Sequence, residues 1–412
     1  MADVHFREVE GRSPGYWALL GLFGVVVALG LGAAYTMEHH GHHITGMTNR
    51  IVWGTPHVFA VFLIVAASGV LNVASIASVF GKVAYKPLAP LSGLLAIALL
   101  IGGLAILVLD LGRPDRLIVA MTTYNFKSIF AWNIFLYVGF IAVVAVYLWL
   151  LMERRMQRYS KPAGLVAFIW RLVLTTGTGS IFGFLVARQA YDAGLLAPMF
   201  VIMSFSFGLA IYLLVLLAAY SWTGRALGDD ILRRLKNLQG VFVAAVLYFV
   251  AVYHLTNLYA TEHHGFERFL LLEGGIYTQL FWGVQIGLGG LLPLALLFHP
   301  KSGRRRGAIA AAAALVVIGG IAQIYTIIIG GQAYPLVLFP GKEVSSTYFD
   351  GTIATYTPSL PEVLLGLGGI GLALAIVTLA VKVLRFLPER IGEERPAPAE
   401  TVAPAPAASG TS

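Results

Sequence analysis

The side chains able to exchange protons gather in a few short strings: EHHGHH at 38–43, WGTPH at 53–57, LDLGRPDR at 109–116 and YHLTNLYATEHHGFER at 253–268. Histidine titrates near neutral pH, and a carboxylate shielded from water is pushed toward it, so this inventory suits moving protons on and off a bound substrate. The competing reading is that these groups line a wet headgroup region. For EHHGHH, solvation or adventitious metal binding is the simpler account.

Asp110 closes an apolar run, and Gly112 and Pro114 force a turn after it, which should hold Asp110, Arg113 and Arg116 close together. A carboxylate between two guanidiniums stays ionised, and either fixes the loop by hydrogen bonds or positions a ligand beside it. His57 follows a Gly and a Pro that can open the first turn of a helix and leave backbone groups free. His254 has Tyr253, Asn257 and Tyr259 nearby, which either donate to a carbonyl oxygen or belong to an aromatic belt. Arg171 lies about 10 Å into its apolar run by helical rise, beside Thr175, Thr176 and Thr178. It either snorkels or, with Thr175 and with Glu273 at the rim, makes up a candidate proton path.

Apolar helices must position these groups. Of 412 residues, 58% are hydrophobic and 12% charged, far from the balance of a soluble protein. A helix crosses a bilayer with roughly 20 apolar residues. Ten runs of that length occur, near 16–36, 54–81, 91–111, 131–152, 165–189, 198–223, 238–260, 274–298, 307–333 and 359–383. The expected fold is all-α and polytopic. The first run is longer than the roughly 7–15 residues of a signal h-region and is read as a span. There is no cysteine, so thiolate-held clusters and disulfides are excluded and any metal-cluster redox chemistry must sit on a partner.

Of the 28 Lys and Arg, 20 fall at the termini and in alternate loops, seven in the other loops, and Arg171 inside a span. The basic side marks the cytoplasm, so both termini are expected there, in a bacterial inner membrane. This asymmetry accounts for the positive net charge without a nucleic-acid partner. Eight of the ten histidines, all but His5 and His299, map to the opposite, outer half, as do Asp110, Asp115, Asp192, Glu262, Glu267 and Glu273. Three regions are expected: a cytoplasmic segment 1–15, a transmembrane domain 16–385, and a disordered cytoplasmic tail 386–412 rich in Pro, Ala and Ser.

LDLGRPDR after an apolar helix, the W-G-x-P opening at 53–56, and GGQAYPLVLFPGKE at 330–343 together resemble the NrfD/PsrC family. The ten-span pattern and YHLTNLYATEHHGFERFLLLEGG at 253–275 resemble its ten-helix branch, which includes the DsrP and HybB-type subunits. The resemblance covers roughly residues 50–385. It implies two four-helix bundles, spans two to five and six to nine, with an extra helix at each end. It also implies a subunit without cluster or haem of its own that binds a quinone near the periplasmic face, beside a ferredoxin-like iron–sulfur partner. His57 matches the family's polar residue on the first bundle helix, and Asp110 and Arg113 its acidic and basic pair. One departure is SIFGFL at 180–185, where the family often has Tyr-Thr-Gly. Tyr124, Tyr191 or Tyr253 would then substitute for that donor. The likeness to the DsrP branch further implies a sulfur-metabolism complex containing a multihaem cytochrome c and a haem b subunit.

The resulting expectation is a membrane anchor, not catalytic alone, that passes electrons between menaquinone or ubiquinone and a periplasmic iron–sulfur protein. His57 and Asp110 would exchange the protons. Trp53, His57, Asp110, Arg113, Arg116, Tyr124, Tyr253 and His254 would form the quinone site, and the segments 112–130 and 335–358 the docking surface for the partner. Two alternatives stand beside it: a cytochrome in which His57 and His254 ligate one haem b, and an ion or metal transporter with the histidines as its vestibule.

Overall fold

The computed structural model describes residues 5–336 and 351–392. Among them, ten helices are long and apolar enough to cross a membrane: α1 (Pro14–His40), α2 (Thr55–Ser78), α3 (Val83–Leu109), α4 (Ile129–Met152), α5 (Arg155–Gly183), α6 (Leu196–Thr223), α7 (Asp229–Tyr259), α8 (Ile276–Phe298), α9 (Arg306–Ala333) and α10 (Leu360–Val383). The ends follow local chemistry. Ser13 caps α1 by accepting from Tyr16 N, and Gly41, at φ 83°, ends it. Ser359 and Glu362 cap each other's backbone at the start of α10.

Helices α2–α5 pack around one another, as do α6–α9, giving two four-helix bundles joined chiefly where α2 and α5 meet α6. The α2–α6 crossing is set by glycine. A Cβ on Gly69 would run into the Ser204 carbonyl, and one on Gly208 into the backbone of Gly69 and Val70. Such close backbone approach is how membrane helices associate when lipid is as apolar as their side chains. The buried share of the most apolar window is 89% for α2 and 17% for α1, which makes α2 the central helix. The two extra helices come from opposite ends of the chain but lie on one side: α1 packs on α10, with Gly30 against Gly368, and α10 leans on α3 and α2.

In the second bundle, π-helical turns interrupt α8 (Leu280–Leu291) and α9 (Thr326–Gly330). At the opposite end of the molecule from Asp110 the termini are tied together. Strand β1 (Ala226–Leu227) pairs in parallel with β2 (Arg390–Ile391), and Arg225 donates to the carbonyls of Arg7, Glu8 and Leu387. Phe386, Leu387 and Ile391 are buried. Residues 386–392 are therefore packed rather than part of a tail; residues 393–412 lie outside the described residues.

Candidate functional site

Helix α2 opens on Gly54 and supplies no capping side chain of its own. The orphan Thr55 N–H, of the kind every helix must satisfy somewhere, and the N–H groups of the two residues before Gly54 are met from the far end of the chain. Tyr356 Oη accepts from Thr55 N at 2.7 Å, and Gln332 Oε1 accepts from Val52 N at 2.9 Å and Trp53 N at 3.1 Å. Tyr356 in turn donates to Glu362 Oε1 at 2.6 Å, and the fully buried Glu362 also accepts from Gly46 N.

One turn into α2, His57 Nδ1 lies 3.0 Å from Oδ2 of Asp110, the residue that caps α3. The Asp110 side chain is 1% exposed and that of His57 24%. From the turn after α1, His42 Nε2 approaches Asp110 Oδ1 at 3.7 Å and its carbonyl oxygen at 3.1 Å. The His57 contact is close but its N–H is not aimed at the oxygen, and neither Asp110 carboxylate oxygen receives a well-directed hydrogen bond. A buried carboxylate in this position retains acceptor capacity for a donor arriving from outside. Burial raises the Asp110 carboxyl, but contact with His42 and His57 outweighs it and holds the group below its ordinary range; the same contact raises His42.

The aromatic wall beside this pair is Trp53, stacked 6.2 Å from His57 and flanked by Phe130 at 6.0 Å and Phe182 at 5.8 Å, the latter edge-on. Phe182 belongs to SIFGFL, so an aromatic ring occupies that region without supplying a hydroxyl.

The expected arginine cluster is absent among the described residues. Arg113 forms a bidentate pair with Asp115, at 3.0 and 2.9 Å, with both side chains exposed, and Arg116 is exposed as well. The Gly112 turn, at φ 70°, carries the loop away from the α3 cap, so histidines rather than guanidiniums face Asp110. Tyr124 packs on Phe126 and Phe135 instead of reaching the pair. Tyr253 and Tyr191 are committed to carbonyl oxygens, those of Ala190 and Ile328. Arg171 and Thr175 do come together, at the α2–α5 contact: Thr175 Oγ1 donates to Ser68 Oγ at 2.5 Å, and the Arg171 guanidinium lies between the rings of Phe168 and Phe205. Glu273 is elsewhere, paired with Arg268 at the surface.

His254 belongs to the second bundle, where Nδ1 lies 2.7 Å from Glu267 Oε2 while Asn257 Nδ2 donates to Glu267 Oε1 at 2.9 Å. The described residues thus hold two buried histidine–carboxylate pairs. In the second, both carboxylate oxygens accept directed hydrogen bonds; in the first, neither does. The imidazoles of His57 and His254 each hold Nδ1 beside a carboxylate of their own bundle. Two cavities of about 20 Å³ lie in the second bundle, sharing Val250, Gln285 and Gln323 in their walls. Each has room for about one water and none for a quinone ring. The first pair, with its partly exposed histidine, is the better candidate for a substrate.

Sequence reasoning passed over His42 as a solvated loop residue and did not single out Gln332, Arg188, Tyr356 or Glu362. Gln332 lies within GGQAYPLVLFPGKE, but nothing local marks it as reaching α2. The expected docking segment 335–358 falls largely on residues 337–350, outside the described residues.

A family model described as "Polysulphide reductase, NrfD" matches residues 43–335, most of the chain. The chain belongs to the NrfD family. Among curated relatives, it is 31% identical to the "Hdr-like menaquinol oxidoreductase integral membrane subunit" of Archaeoglobus fulgidus, with 95% of this chain and 98% of that one aligned. It is 30% identical to a putative dimethyl sulfoxide reductase membrane subunit of Halobacterium salinarum, over 90% of each chain. Identity to a selenate reductase subunit of Mesobacillus selenatarsenatis is 24%, over 90% of this chain and 93% of that one. The NrfD match spans His57, Asp110, His254 and Glu267, and so covers both pairs.

Proposed function

We propose that the chain is the quinone-reactive membrane subunit of a multisubunit oxidoreductase, with its site at Trp53, His57 and Asp110. The observation that carries this reading is the buried Asp110 carboxylate with two undirected acceptor oxygens, beside a partly exposed histidine and an aromatic wall. These residues fit a quinone or quinol. Its ring would pack against Trp53, and a hydroxyl would donate to Asp110. When bound, the quinone supplies the two-electron, two-proton couple. Asp110 would accept a proton at its carboxylate oxygen and become neutral; His57, 3.0 Å away, would take that proton on as imidazolium and release it toward the exposed side, or run the same two transfers in reverse. The name of the Archaeoglobus relative favours menaquinone.

A thiolate-held cluster that exchanges these electrons would have to lie on another subunit, since this chain has no cysteine. An iron–sulfur subunit docked at the Asp110 end fits this need. The basic asymmetry favours that end outside and both termini in the cytoplasm. A sulfur-metabolism complex with cytochrome c and haem b subunits is the finer form of the proposal, checked by mass spectrometry of copurified partners.

The site is tested with 2-heptyl-4-hydroxyquinoline N-oxide (HQNO), a quinol analogue whose fluorescence is quenched on binding. Membranes containing the full chain should bind it, and Asp110→Asn and His57→Ala should each weaken binding by about tenfold or more. Unchanged affinity in both variants would remove the proposal's basis.

A further inference from the structure

Gln332 is 3% exposed and stands at the end of α9, in the second bundle. Its amide makes every bond open to it. Oε1 accepts from Val52 N and Trp53 N, and Nε2 donates to Trp53 O and Ile328 O, both at 2.9 Å. Three of these four bonds cross to the segment that carries Trp53. Arg188, from the link between α5 and α6, braces the arrangement by donating to Gln332 O at 3.0 Å and to Arg50 O at 3.1 Å. One buried amide of the second bundle thereby fixes both backbone faces of the residue whose ring stacks on His57.

We infer that Gln332, braced by Arg188, is a positioning residue for the quinone site of the first bundle. The inference rests on the proposed function and deepens it. Trp53 precedes the helix, where no helical hydrogen bonds hold it, and the Val52 and Trp53 N–H groups go to Gln332 rather than to a local acceptor. Without the Gln332 amide, nothing else among the described residues would bond the Trp53 N–H or carbonyl, and the ring's distance from His57 would no longer be set. A glutamine suits the task because it alone among uncharged side chains of this length both accepts and donates in one plane, matching a peptide unit edge to edge. A charged side chain in this buried place would add a desolvation cost without improving the fit. The consequence is that the geometry of the first bundle's site depends on the second bundle, and on the end of α9 in particular.

A double-mutant cycle on HQNO binding by the full chain in nanodiscs tests this. Gln332→Met, which keeps length and removes the bonds, should weaken affinity by about tenfold, and Trp53→Leu should do likewise. The two together should weaken it no more than either alone, because each acts through the same ring. Gln239→Met removes a comparable buried amide, bonded to Ser206 far from Trp53, and should leave affinity unchanged while lowering thermal stability. If Gln332→Met does not accumulate in membranes, Arg188→Gln gives the same readout with a smaller loss. Should Trp53→Leu weaken binding while Gln332→Met does not, or should the two losses multiply, the positioning role is wrong and the site stands. Should Trp53→Leu itself leave affinity intact, it is the location of the site that fails.

Discussion

Asp110 and His57 meet at the last residue of α3 and the first turn of α2, with Oδ2 and Nδ1 3.0 Å apart, and this contact closes one end of the first bundle. It is close without being well directed. Full pairing satisfies the carboxylate, as at Glu267 in the second bundle. Partial pairing keeps the charge bearable in a buried place and the oxygens open. Both pairs join a histidine to a carboxylate, and they differ in how the contact is directed.

The His42–Asp110 contact predicts a pH-dependent share of stability. His42 is raised by Asp110, so its contribution is complete below its ordinary 6.5 and fades as pH rises through the raised value. Asp110 is lowered overall, so its share is complete above 3.8 and fades as pH falls through the lowered value. His57 and Glu38 also face this pair and act in the same direction. Thermal unfolding in detergent should show wild type exceeding His42→Gln between pH 3.8 and 6.5, and the two converging as pH rises through the raised His42 value. The gap should be at most about 1 kcal/mol, because the His42 side chain is 30% exposed and solvent screens it. A gap that widened with pH would contradict the assignment.

Glu267→Ala should separate stability from binding. The substitution leaves the His254 ring and the Asn257 amide without their partner in a buried place, which costs about 3 kcal/mol. HQNO affinity should remain that of wild type, since Glu267 belongs to the other bundle. Loss of HQNO binding in a variant that still unfolds cooperatively would mean that the second pair takes part in the site.

The α2–α6 crossing predicts which glycines are needed. Gly69→Ala and Gly208→Ala place a methyl inside backbone atoms of the facing helix, and should destabilise by about 3 kcal/mol or fail to assemble. Gly24→Ala, on α1, has nothing within 4 Å of the added methyl and should be neutral. Thermal unfolding of the three variants in one detergent makes the comparison; equal effects would mean that the bundles do not meet where α2 and α6 cross.

The ten helices were legible because crossing a membrane imposes a length and an apolar content that local sequence displays directly. The His57–Asp110 pair was legible only through likeness to a family, since nothing in either string says which other string it faces. Arg113 was misplaced because proximity in sequence was taken for proximity in space. Gly112, at φ 70°, undoes that inference by turning the loop outward. Gln332 and Tyr356 carry no charge and no periodicity, and their role comes from bonds to backbone groups nearly three hundred residues away. Capping from a distance leaves no local mark in the helix it caps.

The absence of cysteine makes the orientation directly testable, since any introduced thiol is the only one. Arg116 lies at the Asp110 end, in the turn after α3, and Lys301 at the other, between α8 and α9. With the basic loops in the cytoplasm, Arg116→Cys should react with a membrane-impermeant maleimide in intact cells, and Lys301→Cys only after permeabilisation. Both positions are exposed, so a failure to label reflects the membrane and not burial in the protein. The reverse pattern would put His57 and Asp110 at the cytoplasmic face, protons would be exchanged with the cytosol, and the iron–sulfur partner would have to dock there.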